Sequence, residues 1–227
     1  MILMPEKKSK IKIKLVCFDF DNTLVDFHPH FSSWGLLSEK LGVLETVEQI
    51  RQDFVEGRIP YSEWPLREAK LWIEKKPSRK ELLKHLKEAK AMKNSLKVLE
   101  KLKAKGIKLA LVSGSLDFAF EVFFPKSLFD HVITERAFFN KSEKLERVEL
   151  FCALEKLAHV KNIAKLEGLK MEEIAFVGDG GNDIEAVKAV GLGIAFNPGN
   201  AELEKHADVV IREKDFSKVL EVIENHA

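Results

Sequence analysis

Cysteine is scarce in this chain, and the two present, Cys17 and Cys152, stand far apart. Two thiols make no disulfide framework, and a chain of 227 residues needs none, so a reducing compartment fits. Neither has a companion at metal-ligand spacing, which leaves no basis for a thiolate metal site. A charge excess is also missing: 37 Lys and Arg against 36 Asp and Glu leave a net charge of +1. Nucleic-acid binding draws on a clustered cationic surplus, so no nucleic-acid partner is expected. The Lys-rich stretch from Lys97 to Lys108 keeps helical spacing among Leu and Val and reads as a solvated helix face. Long apolar runs are absent as well. No stretch approaches the roughly 18 residues of a membrane span, and the opening MILMPEKKSK lacks the apolar run of a signal peptide. The expectation is a soluble, cytoplasmic protein with no membrane partner.

What is present is an apolar content of 45%, enough for a real core, and an uneven placement of acids. Ile13 to Phe18 reads as a buried strand, and it ends in Asp19 and Asp21, followed by Asn22 and Thr23. In an extended chain the two carboxylates point to one side, where they repel unless a cation or a shared proton holds them. The functional reading is a Mg²⁺-dependent site in which one carboxylate is nucleophile and metal ligand and the other handles a proton. The alternative is an ordinary Asp/Asn turn.

After this strand come four segments with helical spacing: Phe31 to Leu41, Thr46 to Glu56, Ser62 to Glu74 and Ser78 to Ala91, punctuated by Gly42, Gly57 and Pro77. Ser78 and Glu81 form a capping-box pattern. No segment here alternates like a strand, so a helical module is expected between two parts of an α/β core. From Ser95 the pattern predicts a helix to Lys105, strands at Ile107 to Val112 and His131 to Thr134, and a long helical region, Ser142 to Glu167. Strand Ile174 to Val177, helix Asp183 to Val190, strands Leu192 to Ala195 and Asp208 to Ile211, and helix Phe216 to Glu224 follow. Apolar strands without alternation, separated by helices, predict a Rossmann-like, mainly parallel sheet with helices on both faces, whose ligands sit outside the strand C-termini.

Two more strand ends carry polar groups. Val112-Ser113-Gly114-Ser115 is read as a compact turn before a helix, whose free N–H groups can meet an anion; an ordinary capping turn is the alternative. Gly178-Asp179-Gly180-Gly181-Asn182-Asp183 sets two acids among three glycines, as metal coordination or as a Gly-rich turn with Asp183 as N-cap.

With these residues in place, the chain resembles the haloacid-dehalogenase superfamily of phosphatases, nearest to its phosphoserine-phosphatase-like branch. The pattern DxDx[TV] is met by Asp19, Asp21 and Thr23, the strand-end serine by Ser113, and the acidic motif by Gly178 to Asp183, in order over nearly the whole chain. The resemblance implies an α/β core of residues 1–26 and 92–227 with a helical cap of residues 27–91. It implies a small phosphorylated metabolite as substrate, an aspartyl-phosphate on Asp19, and Asp21 as acid and base. For Mg²⁺ it implies Asp19, the Asp21 carbonyl, Asp179 and Asp183, and for the phosphoryl group Ser113, the Gly114 N–H, Asn182 and a lysine. Aligning Lys161 to Gly168 on the branch's helix tail puts that lysine at Lys156, with Lys161 as the other candidate. Thr23 and the second acid, Asp21, favour hydrolysis over mutase or dehalogenase chemistry. Where the branch has a glutamate for substrate ammonium this chain has His28, and Arg67 stands near the place of its carboxylate-binding arginine; both are expected to set selectivity. The cap aromatics Phe31, Trp34, Phe54, Tyr61, Trp64 and Trp72 are read chiefly as cap packing. Phosphoserine is the first specific substrate candidate, and a catalytically silent binding or regulatory protein of this fold is the alternative class.

Overall fold

The computed structural model describes residues 12–226; residues 1–11, with the N-terminal segment read above for a targeting signal, and residue 227 lie outside the described residues. Its elements in chain order are β1 (Leu15–Phe18), β2 (Val25–Asp26), α1 (Ser33–Lys40), α2 (Leu44–Val55), α3 (Glu63–Lys75), α4 (Arg79–Leu86), β3 (Lys90–Ala91), α5 (Ser95–Ala104), β4 (Lys108–Leu116), β5 (His131–Phe139) and β6 (Leu145–Glu149). Then come α6 (Lys156–Glu167), β7 (Ile174–Gly178), α7 (Ile184–Ala189), β8 (Leu192–Phe196), α8 (Ala201–His206), β9 (Val209–Ile211) and α9 (Ser217–His226).

Seven strands form one sheet in the order β6-β5-β4-β1-β7-β8-β9, all parallel except the β5/β6 pair. β1 lies between β4 and β7, and the chain fills one side of it before returning to the other. That makes β1 the switch point, the place where an open α/β sheet leaves a crevice at its strand C-termini. Leu15, Val16, Cys17 and Phe18 are all buried, because each strand face is covered by a different apolar layer. Val16, Phe18, Leu109, Leu111 and Val177 face one layer; Leu15, Cys17, Ala110, Val112 and Phe176 face the other.

The inserted helices share the first of these layers. Trp34, Leu37, Trp72, Leu82 and Leu86 belong to the same buried cluster as Phe18 and Leu111, and the Trp34 and Trp72 rings lie 4.6 Å apart. The Ser78–Glu81 capping box forms as its pattern predicts, an arrangement in which the cap residue contributes about 1 kcal/mol.

Several boundaries differ from the sequence reading. The helix expected over Ser78 to Ala91 stops at Leu86, and Lys90–Ala91 pairs antiparallel with Val25–Asp26. This two-stranded ribbon joins the helical insertion to the sheet domain. The helical region expected from Ser142 begins only at Lys156; before it, β5 and β6 form a hairpin. Asn140 Oδ1 closes its turn by accepting from the Ser142 and Lys144 amides (2.9 and 3.1 Å), and the Arg147 guanidinium lies 3.9 Å over the Phe138 ring. These are tertiary and turn contacts that helical spacing does not register. β4 runs on through Leu116, so the helix expected after Ser115 is absent, and α8 was not anticipated. No described helix is long and apolar enough to cross a membrane.

Candidate active site

The Asp19 amide donates to the Val177 carbonyl at 2.9 Å, so the first acid leaves β1 still tied to β7. Three residues on, Asn22 takes a left-handed backbone (φ 55), a conformation Asn tolerates. Its side chain bends the chain toward the helical insertion, accepting from the Phe27 amide (3.0 Å) and donating to the Phe31 carbonyl (2.8 Å). Thr23 Oγ1 donates to Asp179 Oδ1 at 3.1 Å, joining the first motif to the third. Ser33, at the start of α1, donates to Asp21 Oδ2 at 3.0 Å, while Asp21 Oδ1 is buried with no hydrogen-bond partner among the described residues. Burial first, and the Asp19 charge second, push the Asp21 carboxyl up to about 7.

Asp19, Asp179 and Asp183 each offer a carboxylate oxygen, and the three oxygens lie within 4.8 Å of one another. Lys156, the first residue of α6, is buried, and its Nζ stands 2.9 Å from Asp19 Oδ1 and 2.6 Å from Asp183 Oδ1. Desolvation opposes that ammonium, yet Asp183 and Asp19 hold it well above the usual lysine range. Asp183 Oδ2 accepts from the Asp179 and Gly180 amides (3.1 and 3.0 Å). Its carboxylate packs so closely on Gly178 that a Cβ there would collide with it, which is why that strand end requires glycine. Asp183 thus turns back on the loop instead of capping α7. Burial drives Asp179 well above the carboxylate range, followed by the Asp19 and Asp183 charges, and burial lifts Asp183 to about 6 against the Lys156 charge.

Four carboxylates, those of Asp19, Asp21, Asp179 and Asp183, therefore meet one ammonium in a buried space. Hard oxygen donors in that excess are what a divalent cation such as Mg²⁺ takes as ligands, and the raised proton affinity of Asp21, Asp179 and Asp183 marks the charge it would neutralise. The donor set fits such an ion.

β4 brings Ser113 and Gly114 to the same edge. Ser113 is buried and accepts from the Ser115 amide at 3.2 Å. A Cβ on Gly114 would stand 2.8 Å from that of Ala153, and the Gly114 carbonyl accepts from Trp34 Nε1 of the insertion at 3.0 Å. Glu135 on β5, which the sequence did not single out, is buried. Its carboxylate accepts from the Ala153 amide at 2.8 Å, the Cys152 amide at 3.2 Å and the Phe151 amide, clamping the turn that leads into Lys156.

These residues floor a cleft of about 1180 Å³ between the sheet edge and the insertion. Asp19, Asp21, Ser113, Gly114, Lys156, Asp179 and Asn182 all line it, and Asp183 stands directly behind. Asn182 is exposed. Lys161 is exposed on α6 and also borders the cleft, but Lys156 is the lysine against Asp19.

His28 and Arg67 are not in the cleft lining. His28 Nδ1 lies 2.7 Å from Asp26 Oδ1 and 3.1 Å from Lys214 Nζ, outside the crevice. Arg67 is exposed on α3, with Nε 2.9 Å from Glu63 Oε1 one turn back. Asp26 and Lys214 engage the His28 ring and Glu63 pairs with Arg67, and these local partners hold both side chains outside the cleft. The charged residues of the insertion that do line the cleft are Arg51 and Glu68. Glu68 is buried, its Oε1 accepts from Ser38 Oγ at 2.6 Å, and burial pushes its carboxyl up to about 7. One signal existed: Trp64, Glu68 and Trp72 stand at i, i+4 and i+8, an acid on an apolar stripe. Glu135 gave none, because its role depends on a hairpin that was not expected.

Known proteins resemble this chain in sequence and in fold. A profile of the haloacid dehalogenase-like hydrolases matches residues 13–191. The phosphoserine phosphatase of Methanocaldococcus jannaschii is 31% identical over 214 residues, 93% of this chain and 98% of that protein. A substrate-bound phosphoserine phosphatase complex superposes with a TM-score of 0.79 at 29% identity, covering 93% of this chain and 98% of the other. A phospho-aspartyl intermediate analogue of phosphoserine phosphatase gives 0.77 at 29% identity over 93% and 99%. With motifs, fold and relatives in agreement, the chain belongs to the haloacid dehalogenase-like hydrolases, and it is a phosphatase.

Proposed function

We propose that this phosphatase hydrolyses a phosphorylated small molecule by way of an aspartyl-phosphate on Asp19, with Mg²⁺ as its metal. The supporting observation is that Lys156 Nζ lies between Asp19 and Asp183, at the strand end where Asp21 stands with a raised carboxyl. Asp19 Oδ attacks phosphorus as the bond to the alcohol oxygen breaks, and the Asp21 carboxyl gives that oxygen its proton. Asp21, now ionised, takes a proton from water, whose oxygen then attacks phosphorus; the bond to Asp19 breaks and inorganic phosphate leaves. Ser113, the Gly114 amide and Lys156 hold the phosphoryl oxygens through both displacements, and Asn182 orients the group from the rim. Asp19, Asp179, Asp183 and the Asp21 carbonyl are the proposed holders of Mg²⁺, which when bound offsets the charge between carboxylates and phosphoryl group.

Residues 27–91 act as the cap over a core of 1–26 and 92–227. The relatives' name makes phosphoserine the first substrate to assay, although neither His28 nor Arg67 lines the cleft to receive its ammonium or carboxylate. A catalytically silent role has no support in a site that retains all four acids and the lysine.

The test is turnover of a phosphomonoester with Mg²⁺ and with chelator, in the native protein and in Asp19→Asn. A labelled ester should leave label on the native protein after acid quench, released by hydroxylamine as expected for an acyl phosphate. Metal-independent turnover, or equal turnover by Asp19→Asn, would overturn the mechanism.

A further inference from the structure

The cap side of the cleft has a chemistry that phosphoryl transfer does not use. Trp64 is ringed by Phe31 (centroids 5.5 Å apart), Phe54 (5.5 Å, planes 25° apart) and Tyr61 (6.0 Å). All four rings line the same cleft as Asp19 and Lys156. They are not closed off as a core would be. Each is partly exposed, whereas Trp72, two turns further along α3, is fully buried. The apolar character continues to the mouth, where Val55 on the cap and Leu154 on the core, 61% and 52% exposed, face the cleft from opposite banks.

Tyr61, the chain's single tyrosine, lines the cleft together with Asp19 and Lys156. Burial raises its hydroxyl to about 12, and the charges of Lys156, Asp19, Glu135 and Asp183 all act on it. The charges within the aromatic wall are already engaged. Arg51 lies 5.4 Å over the Phe31 ring with its Nη1 3.4 Å from Glu48, and Glu68 accepts from Ser38. A cleft of about 1180 Å³ is also larger than the roughly 300–1,000 Å³ of sites that enclose drug-sized ligands, far beyond what an amino-acid phosphate fills.

We infer that the Phe31–Phe54–Tyr61–Trp64 wall seats an aromatic or similarly flat apolar leaving group, so that the preferred substrates are phosphomonoesters of arylalkyl alcohols and not of a small polar amino acid. This inference rests on the phosphomonoesterase reading above. Transferring a phenyl ring from water into such a wall removes enough apolar surface to change binding by about tenfold or more.

Phenethyl phosphate and ethyl phosphate separate this effect from leaving-group reactivity, since both release a primary alcohol. The expected kcat/KM for phenethyl phosphate exceeds that for ethyl phosphate by about tenfold or more, and exceeds that for phosphoserine. Phe54→Leu and Trp64→Leu, each checked for fold by near-UV circular dichroism, should reduce the phenethyl preference to within about threefold while turnover of ethyl phosphate is retained. A native preference below about threefold, or a higher kcat/KM for phosphoserine, overturns the inference. Binding to Asp19→Asn, followed by tryptophan fluorescence, decides it independently of chemistry. Tighter binding of the phenethyl ester supports the wall even if neither ester is turned over, an outcome that sinks the phosphatase mechanism alone; equal binding of the two esters overturns the wall.

Discussion

Replacing Glu68 by glutamine removes a buried acid whose environment resists ionisation. Glu68 is only 1% exposed, so no solvent screening discounts its energetics. Desolvation lifts its carboxyl from the ordinary 4.5 to about 7, the Ser38 hydrogen bond works against the rise, and the Glu48 charge adds to it. In the unfolded chain the group ionises near 4.5; in the folded protein it keeps its proton to about 7. The folded state therefore binds more protons across that window, and stability is lost as pH rises through it. At about 1.36 kcal/mol for each pH unit, the full span is worth about 3 kcal/mol.

The amide introduced by Glu68→Gln does not titrate and can keep a hydrogen bond to Ser38. Urea denaturation of both proteins across pH gives the stability difference, native minus Glu68→Gln. Other groups that titrate in the same range, including Asp21 and Asp183, cancel in that difference. It should be level below about pH 4.5, fall by about 3 kcal/mol as pH rises to about 7–8, and level again. A difference that stays constant, or rises with pH, would refute the claim that Glu68 is held protonated by burial.

Lys156→Met strands the Asp19 and Asp183 carboxylates beside each other. In metal-free protein it should cost about 3–5 kcal/mol of stability by urea denaturation, and added Mg²⁺ should stabilise the variant more than the native protein. Glu135→Gln keeps the shape of the turn clamp but loses an acceptor for the Phe151, Cys152 and Ala153 amides. We expect a loss of about 1.5–3 kcal/mol, with faster hydrogen exchange confined to that turn and a lower kcat. Gly178→Ala drives a methyl group into the Asp183 carboxylate; Mg²⁺ affinity, measured by calorimetry, should fall by about 10–100-fold.

The sheet was legible because buried parallel strands leave a local trace. Leu15 to Phe18 and Ile174 to Val177 are apolar on both faces, and the acids that end them have no reason to be there unless the strand ends open on a site. The β5–β6 hairpin left a weaker trace. Its turn depends on Asn140 accepting two amides and Glu143 adopting a positive φ of 59, while charged residues such as Glu146 and Arg147 keep a pattern that a solvated helix shares. Misreading it hid Glu135, whose three partners come together only when the hairpin forms.

Among site residues, motif and spacing point to Asp19, Asp21, Ser113, Asp179 and Asp183, the family resemblance alone points to Lys156, and the fold brings all six to one edge. His28 and Arg67 were named by counting along the chain, and counting cannot see that Asp26, Lys214 and Glu63 offer closer partners.

Reaction chemistry and parallel-sheet architecture were readable from the order of residues, because both depend on short runs whose residue types are restricted by covalent roles and by burial. The walls of the cleft were not. Which side chains of four amphipathic helices face a cavity depends on helix rotation and crossing, which periodicity leaves open. Only packing turned Arg51, Phe54, Trp64 and Glu68 on these helices, with Phe31 and Tyr61 in the turns before α1 and α3, toward the cleft above Asp19, and left His28 and Arg67 outside.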